Sequence, residues 1–203
     1  MNLNVKGIKM RLKMYLWILC VSVGIVYVIN LFTVGQNYSI FIITLITIVN
    51  PLVIIAVDGL IAKIIHDLPR KWFSPHLKIF QPFKCERSLY RKMKINAWKD
   101  FIPDTGKQTT GLSKSEIAGT EADYLFRFLE ETCYAEYVHY GMALMGFPLI
   151  FLAPKEVQLS LMLPHAFINF FLNIPPIFIQ RNNRPKLLHM YERQLKKANR
   201  ELA

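Results

Sequence analysis

The sequence predicts an all-α integral membrane protein with about four transmembrane helices, a cytoplasmic basic central segment and a C-terminal amphipathic helix. Of its 203 residues, 53% are hydrophobic and 19% are charged, a balance typical of membrane proteins. Residues 14–57 contain no charged side chain. This run is too long for one span. It fits two, at about 14–34 and about 38–57, because a bilayer core requires about 20 residues for each.

Two more apolar runs, at about 137–153 and 157–179, predict the other spans. The first is near the lower limit of length for a span. The second carries polar residues and prolines, and such groups at membrane depth usually face other helices or a cavity. We therefore expect either two full spans or a re-entrant hairpin over 137–179.

The basic residues predict the orientation. The net charge is +11, and the lysines and arginines lie within residues 1–13, 58–136 and 180–203, apart from Lys155. By the positive-inside rule both termini and the central segment are cytoplasmic in a multi-pass cell-membrane protein. Because the charges border apolar runs, anionic lipid and acidic cofactors are better partners than nucleic acid.

The predicted organisation has three parts, 1–67, 68–119 and 120–203. Residues 68–99 interleave basic and aromatic side chains, a pattern that suits a lipid headgroup interface, and the flanking spans disfavour RNA as a partner. Residues 100–119 read as a loop and contain no P-loop or dinucleotide fingerprint. We expect a helix to begin near Thr120 and to run into the apolar stretch at 137, and a basic amphipathic helix to follow Pro185.

The three cysteines, Cys20, Cys85 and Cys133, predict neither a disulfide framework nor a zinc knuckle, because they are far apart and form no CxxC pair. Cys133 as an acyl-thioester nucleophile is an alternative, but no basic partner for its thiol is evident. A metal site is not expected either, since Glu136 and His139 form half of a di-iron motif whose second copy is missing.

Ionisable groups from three segments are predicted to meet at the cytoplasmic edge of the bilayer. Glu136 and His139 are three residues apart on one helix and share a face. Tyr137 begins the apolar run there, Asp58 ends the second span, and Arg181 follows the last span directly. Arginine at such a boundary can hold a phosphate or carboxylate by two parallel hydrogen bonds.

Three stretches carry a resemblance to a known family. They are Trp98 to Asp104 (WKDFIPD), Glu131 to His139 (ETCYAEYVH) and Asn173 to Leu188 (NIPPIFIQRNNRPKLL). In order and spacing they resemble the bacterial glycosyl-4,4'-diaponeurosporenoate acyltransferases, membrane enzymes that esterify a fatty acyl chain onto the sugar of a carotenoid glycoside. The resemblance covers roughly residues 90 to 190. It departs at Asn182, where an aromatic residue is expected, and at Cys133 and Tyr134, where basic residues are expected.

The resemblance implies an acyltransferase acting at the cytoplasmic membrane interface on a glycosylated carotenoid or related glycolipid. It implies acyl-CoA or an acyl-carrier protein as donor, with no metal or redox cofactor. His139 is the expected base and Glu136 the group that orients it. Substrate-binding roles are expected for these residues: Arg181, Arg184, Asn173, Gln180, Asn183, Trp98, Lys99, Asp104 and Glu131.

Two other functions remain open from the sequence. One is an acyltransferase for another membrane glycolipid, and the other is a non-catalytic subunit that binds anionic lipid. Loss of activity in His139 and Glu136 variants would separate the enzymes from the binding subunit.

Overall fold

The computed structural model describes residues 2–35, 37–102 and 121–201, and in this part of the chain it is helical without strands. The predicted all-α fold class is confirmed. The α-helices are α1 (Asn2–Thr33), α2 (Ile40–His66), α3 (Lys84–Lys92), α4 (Ile95–Trp98), α5 (Ala122–Met145), α6 (Lys155–Val157) and α7 (Leu163–Glu201). Short 3₁₀ helices occupy Arg70–Phe73, Lys78–Phe80, Lys99–Phe101 and Pro148–Leu152, and a π-helical turn occupies Gln158–Met162.

Three helical stretches in the described residues are long and apolar enough to cross a membrane, judged by length and composition. They are Leu16–Thr33, Ile40–His66 and Lys155–Arg200. The first two correspond to the predicted N-terminal pair. The predicted run at 137–153 forms the end of α5 and a 3₁₀ helix and is not among the three, so the count of four spans stays a prediction.

Helix α7 continues through three prolines, Pro175, Pro176 and Pro185, without a break. Each proline removes one backbone donor and usually kinks or ends a helix, so uninterrupted helix requires support from packing. The C-terminal amphipathic helix is therefore the last part of α7 rather than a separate element. Helix α5 begins at Ala122, within two residues of the predicted start.

The chain forms two compact units. The first comprises Met1–His66 and Val138–Ile174, and the second comprises Asp67–Tyr137 and Pro175–Ala203. Each unit combines two stretches that are separate in the sequence. The sequential division at 1–67, 68–119 and 120–203 stays a prediction.

The first unit is held together by apolar contacts and close helix approach. Its core clusters contain Val26, Val34, Val157 and Leu161, and Ile150, Met162 and Ala166. A Cβ added at Gly146 would lie 3.2 Å from the Cα of Ala166. Glycine at this position permits the two backbones to approach, as small residues do at helix interfaces in membranes.

The second unit packs the residues after α2 against α5 and the C-terminal part of α7. Phe73 stacks on Tyr134 at 3.9 Å between ring centroids, and Phe80 lies 5.3 Å from Tyr137. Phe73 and Phe80 are buried, whereas Trp72 is exposed. The aromatic residues of 68–99 thus fall into two groups. Some pack inside the unit, and others lie on its surface. Only the exposed ones are candidates for the predicted contact with lipid headgroups.

Candidate functional site

The second unit contains a buried ionic cluster centred on Arg181 of α7. Its Nε and Nη2 donate to Glu86 Oε2 at 2.8 Å and Oε1 at 3.1 Å. Its Nη1 donates to Glu136 Oε1 at 2.6 Å, and Nη1 and Nη2 also donate to the carbonyls of Ile79 and Gln81. An arginine side chain has five N–H donors, and five such bonds are made.

Arg184 lies one turn further along α7 and bonds to the same surroundings. Its Nη2 donates to the carbonyl of Thr132 at 2.8 Å and its Nε to the Thr132 hydroxyl at 3.0 Å. Its Nη1 donates to the carbonyl of Phe80 at 2.6 Å, and the guanidinium lies 5.1 Å from the Phe80 ring centroid. Glu136 Oε2 also lies 2.6 Å from Nη1, as an ion pair rather than an aligned hydrogen bond.

The contribution of these ion pairs to stability depends on how deeply they are buried. Glu136 is 1% exposed, Arg184 2% and Arg181 6%. Two guanidinium charges face the carboxylates of Glu136 and Glu86, so the cluster is balanced in charge. Buried ion pairs are tolerated when the geometry is good and further hydrogen bonds satisfy the charged groups. Arg181 makes five hydrogen bonds and Arg184 three, all within the second unit. The cluster fixes the 78–81 backbone and α3 to α5 and α7, and the predicted role of both arginines in substrate binding stays a prediction.

A second polar array lies in the first unit and contains the predicted base. The Nδ1 of His139 lies 2.8 Å from Asn173 Oδ1. The amide nitrogen of Asn173 donates to both the carbonyl and the side-chain oxygen of Asn169. Asn169 in turn donates to the Met142 carbonyl at 2.8 Å and to Asp58 Oδ1 at 3.4 Å. His139 is half-buried, whereas both asparagines are buried.

In the structure, Glu136 contacts two arginines, Arg181 and Arg184, and His139 contacts Asn173. The role of Glu136 in orienting His139 stays a prediction. Asn173, which the resemblance associates with substrate, lies against the predicted base. Imidazole held by a hydrogen bond at one ring nitrogen is the arrangement that general-base catalysis requires.

The other predicted binding residues lie in the second unit. The Trp98 indole donates to the Met93 carbonyl at 2.9 Å, and its ring packs beside Tyr90 and Ile95. Lys99 and Gln180 are half-buried, and so is Asn183, whose side-chain oxygen lies 3.4 Å from the amide nitrogen of its neighbour in sequence. Asp104 lies outside the described residues.

Glu131 lines a cavity of about 590 Å³ in the second unit. Acidic side chains predominate among the charged groups around it, which are Glu121, Asp123, Glu130, Glu131, Arg70 and Arg127. Such a lining does not favour the phosphates of an acyl donor. No cluster of three or more metal-ligating side chains occurs among the residues described.

Sequence reasoning missed two important residues. Glu86 lies in α3, far from the other charged members of the cluster along the chain, and no motif connects it to them. Asn169 lies in the apolar run at 157–179, and no motif in the sequence connects it to His139.

Cys133 is unsuited to act as a nucleophile. The side chain is buried, and burial raises the pKa of its thiol to about 12. Since the thiolate is the reactive form, a thiol with this pKa is nearly all protonated at neutral pH. The thioester alternative is therefore disfavoured.

We expect thiol alkylation of the folded protein to distinguish Cys133 from Cys85. Because burial raises the pKa of the Cys133 thiol, very little of it is thiolate at pH 8. Cys85 is exposed in α3 and serves as the internal control. Peptide mass spectrometry after brief iodoacetamide treatment should find Cys85 modified and Cys133 intact. Equal modification of both before unfolding would contradict the buried placement.

Comparisons with known proteins agree with the residue patterns. The family model of CrtO, described as glycosyl-4,4'-diaponeurosporenoate acyltransferase, matches residues 69–193. A curated relative from Staphylococcus haemolyticus (strain JCSC1435), named glycosyl-4,4'-diaponeurosporenoate acyltransferase, is 26% identical over 140 residues. The aligned region covers 65% of this chain and 77% of the relative. No solved structure matches the chain. Because the family match covers more than half of the sequence, the chain belongs to the CrtO family of acyltransferases.

Proposed function

We propose that this acyltransferase esterifies a fatty acyl group onto a sugar hydroxyl of a carotenoid glycoside at the cytoplasmic face of the membrane. The family match over residues 69–193 is the observation that carries the proposal, because it includes α5, the cluster in the second unit and most of α7. The proposed donor is acyl-CoA or the acylated form of an acyl-carrier protein, both of which are thioesters found in the cytoplasm.

The proposed reaction requires one base. The sugar oxygen attacks the thioester carbonyl while its proton passes to Nε2 of His139. The C–S bond then breaks, the carbonyl re-forms as an ester, and the departing thiolate takes the proton from Nε2 of His139, which gives a free thiol and restores the neutral base. A sugar hydroxyl is a weak nucleophile at neutral pH, and a positioned base typically contributes about 10²–10⁴-fold to the rate.

A membrane location is supported by the surfaces of the N-terminal helices. Large apolar side chains of α1 and α2 point outward, among them Trp17, Phe32 and Phe41, which are 67%, 80% and 71% exposed. A soluble protein rarely exposes so continuous an apolar surface, whereas lipid covers it without cost. An acceptor with an apolar carotenoid chain would share that lipid phase.

Cysteine labelling of intact cells tests the proposed orientation. By the positive-inside rule, the distribution of basic residues supports a cytoplasmic position for both termini and residues 58–136. Membrane-impermeant maleimide should therefore label single cysteines introduced near Gln36 and Lys155. Labelling from outside at a cysteine introduced near Thr110 would contradict the orientation.

The acceptor is tested by mass spectrometry of pigments and lipids. Cells that make the carotenoid glycoside should accumulate its acyl ester when they also express this chain, and only the unacylated glycoside when they do not. Acylation of another glycolipid in place of the carotenoid would support the rival acyltransferase. Unchanged pigments and lipids at normal expression would support a non-catalytic lipid-binding subunit.

A further inference from the structure

The hydrogen bonds around His139 have a fixed direction. Asn169 places its amide nitrogen against two oxygen acceptors, the Met142 carbonyl and the Asp58 carboxyl group. Turning this amide over would bring oxygen against oxygen, so its nitrogen must occupy that place. The side-chain oxygen of Asn169 therefore faces Asn173.

The orientation of the Asn173 side-chain amide is fixed in the same way. Its amide nitrogen lies 3.0 Å from the Asn169 carbonyl and 3.1 Å from Asn169 Oδ1, which are both acceptors. The oxygen of Asn173 is therefore the atom presented to His139 at 2.8 Å. An amide oxygen cannot donate a hydrogen bond, so the proton of this bond belongs to Nδ1 of His139.

We infer that Asn173, Asn169 and Asp58 are positioning residues that hold His139 as the Nδ1–H tautomer. This inference deepens the proposed function, on which its catalytic part rests. With the proton fixed on Nδ1, the lone pair of the neutral ring lies on Nε2. Nε2 is then the nitrogen that accepts the sugar hydroxyl proton, while Nδ1 keeps its own proton and its bond to Asn173.

The array differs in chemistry from a base oriented directly by a carboxylate. The immediate partner of His139 is a neutral amide, and the carboxyl group of Asp58 is two side chains away. An amide oxygen stabilises the imidazolium less than a carboxylate would. Its main contribution is to fix the tautomer and the ring orientation, which an unrestrained imidazole does not maintain.

Nitrogen NMR of the purified protein tests this inference without measuring activity. The full chain is labelled with ¹⁵N-histidine, placed in detergent micelles at pH 8, and the two-bond ¹⁵N–¹H correlations are recorded. His139→Gln identifies the resonances of His139. The expected result is Nδ1–H for His139. An Nε2–H tautomer for His139 in the unmodified protein would overturn the inference.

Variants of Asn173 provide the second test. Asn173→Ala removes the acceptor, so the Nε2–H tautomer should appear and kcat should fall by about 10–100-fold, part of the contribution of a base. Asn173→Asp keeps an oxygen at Nδ1 and should retain the Nδ1–H tautomer. Asn169→Ala should have a smaller effect than Asn173→Ala, because the backbone carbonyl of residue 169 remains and still accepts a hydrogen bond from the Asn173 amide. An unchanged tautomer in folded Asn173→Ala would contradict the positioning role.

The two tests distinguish an error in the tautomer of His139 from an error in the proposed reaction. If His139 is Nδ1–H but His139→Gln turns over at the normal rate, the proposed base is wrong and the hydrogen-bond direction stands. If His139→Gln is inactive but His139 is Nε2–H in the unmodified protein, the base is supported and the positioning array is wrong.

Discussion

Replacing Glu136 by alanine should destabilise the protein by about 3–5 kcal/mol, the usual effect of removing one partner from a buried ion pair. Glu136 is 1% exposed and contacts both Arg181 and Arg184 at 2.6 Å. Without it, Arg181 keeps its ion pair with Glu86, whereas Arg184 loses its ion pair. We expect Glu136→Gln to destabilise the protein nearly as much, because the amide can form a hydrogen bond but carries no charge. Unfolding of purified variants in mixed micelles measures the difference.

Glu86→Gln is the matched control for this variant. The Glu86 side chain also contacts Arg181 but is 23% exposed, so water partly compensates for the lost charge. A loss of about 1–2 kcal/mol is expected, in the range of one charged hydrogen bond. Equal stability of Glu136→Ala and the unmodified protein would show that the cluster does not hold the second unit together.

Replacing His139 by alanine should leave the protein folded and lower turnover by about 10²–10⁴-fold, the contribution of a positioned general base. His139 is half-buried, and its Nδ1 lies 2.8 Å from Asn173 Oδ1, so we expect the variant to lose this contact and still fold. The measurement is kcat with a defined acyl donor and acceptor, after the unfolding midpoint of each variant has been compared.

His189→Ala is the control for His139→Ala. His189 is an exposed histidine of α7, and we expect its loss to change neither turnover nor stability appreciably. His139→Gln provides the critical comparison, because glutamine keeps hydrogen-bonding capacity but is not a base. Near-normal turnover in His139→Gln would remove His139 from the mechanism.

Much of the fold was predictable because it depends on local pattern. The absence of charge over residues 14–57 predicts the helices α1 and α2, which cover that run apart from the turn between them. The start of α5 was predictable from turn chemistry and an apolar face. The continuity of α7 was not, since Pro175, Pro176 and Pro185 each argue locally for an interruption and tertiary packing decides the outcome.

Motifs selected the candidate residues, whose roles stay predictions, but the contacts that these residues make within each unit could not be predicted from the sequence. The motifs identified Glu136, His139, Arg181 and Arg184, and helical spacing suggested that Glu136 would orient His139. Spacing gives the face of a helix but not the groups packed against that face. The carboxylate of Glu86 and the carbonyls of the 78–81 turn approach from another segment, and hydrogen bonds to such carbonyls leave no pattern in sequence.

The most direct test of the proposed function is the reaction of the purified protein. The protein in detergent is mixed with a glycosylated diaponeurosporenoate and a single acyl-CoA or acyl-carrier protein, and the products are analysed by mass spectrometry. We expect an ester whose mass exceeds that of the acceptor by the mass of the fatty acid less one water, with release of one free thiol. Folded protein that forms no such ester with either donor, while the same preparation acylates a different glycolipid, would contradict it.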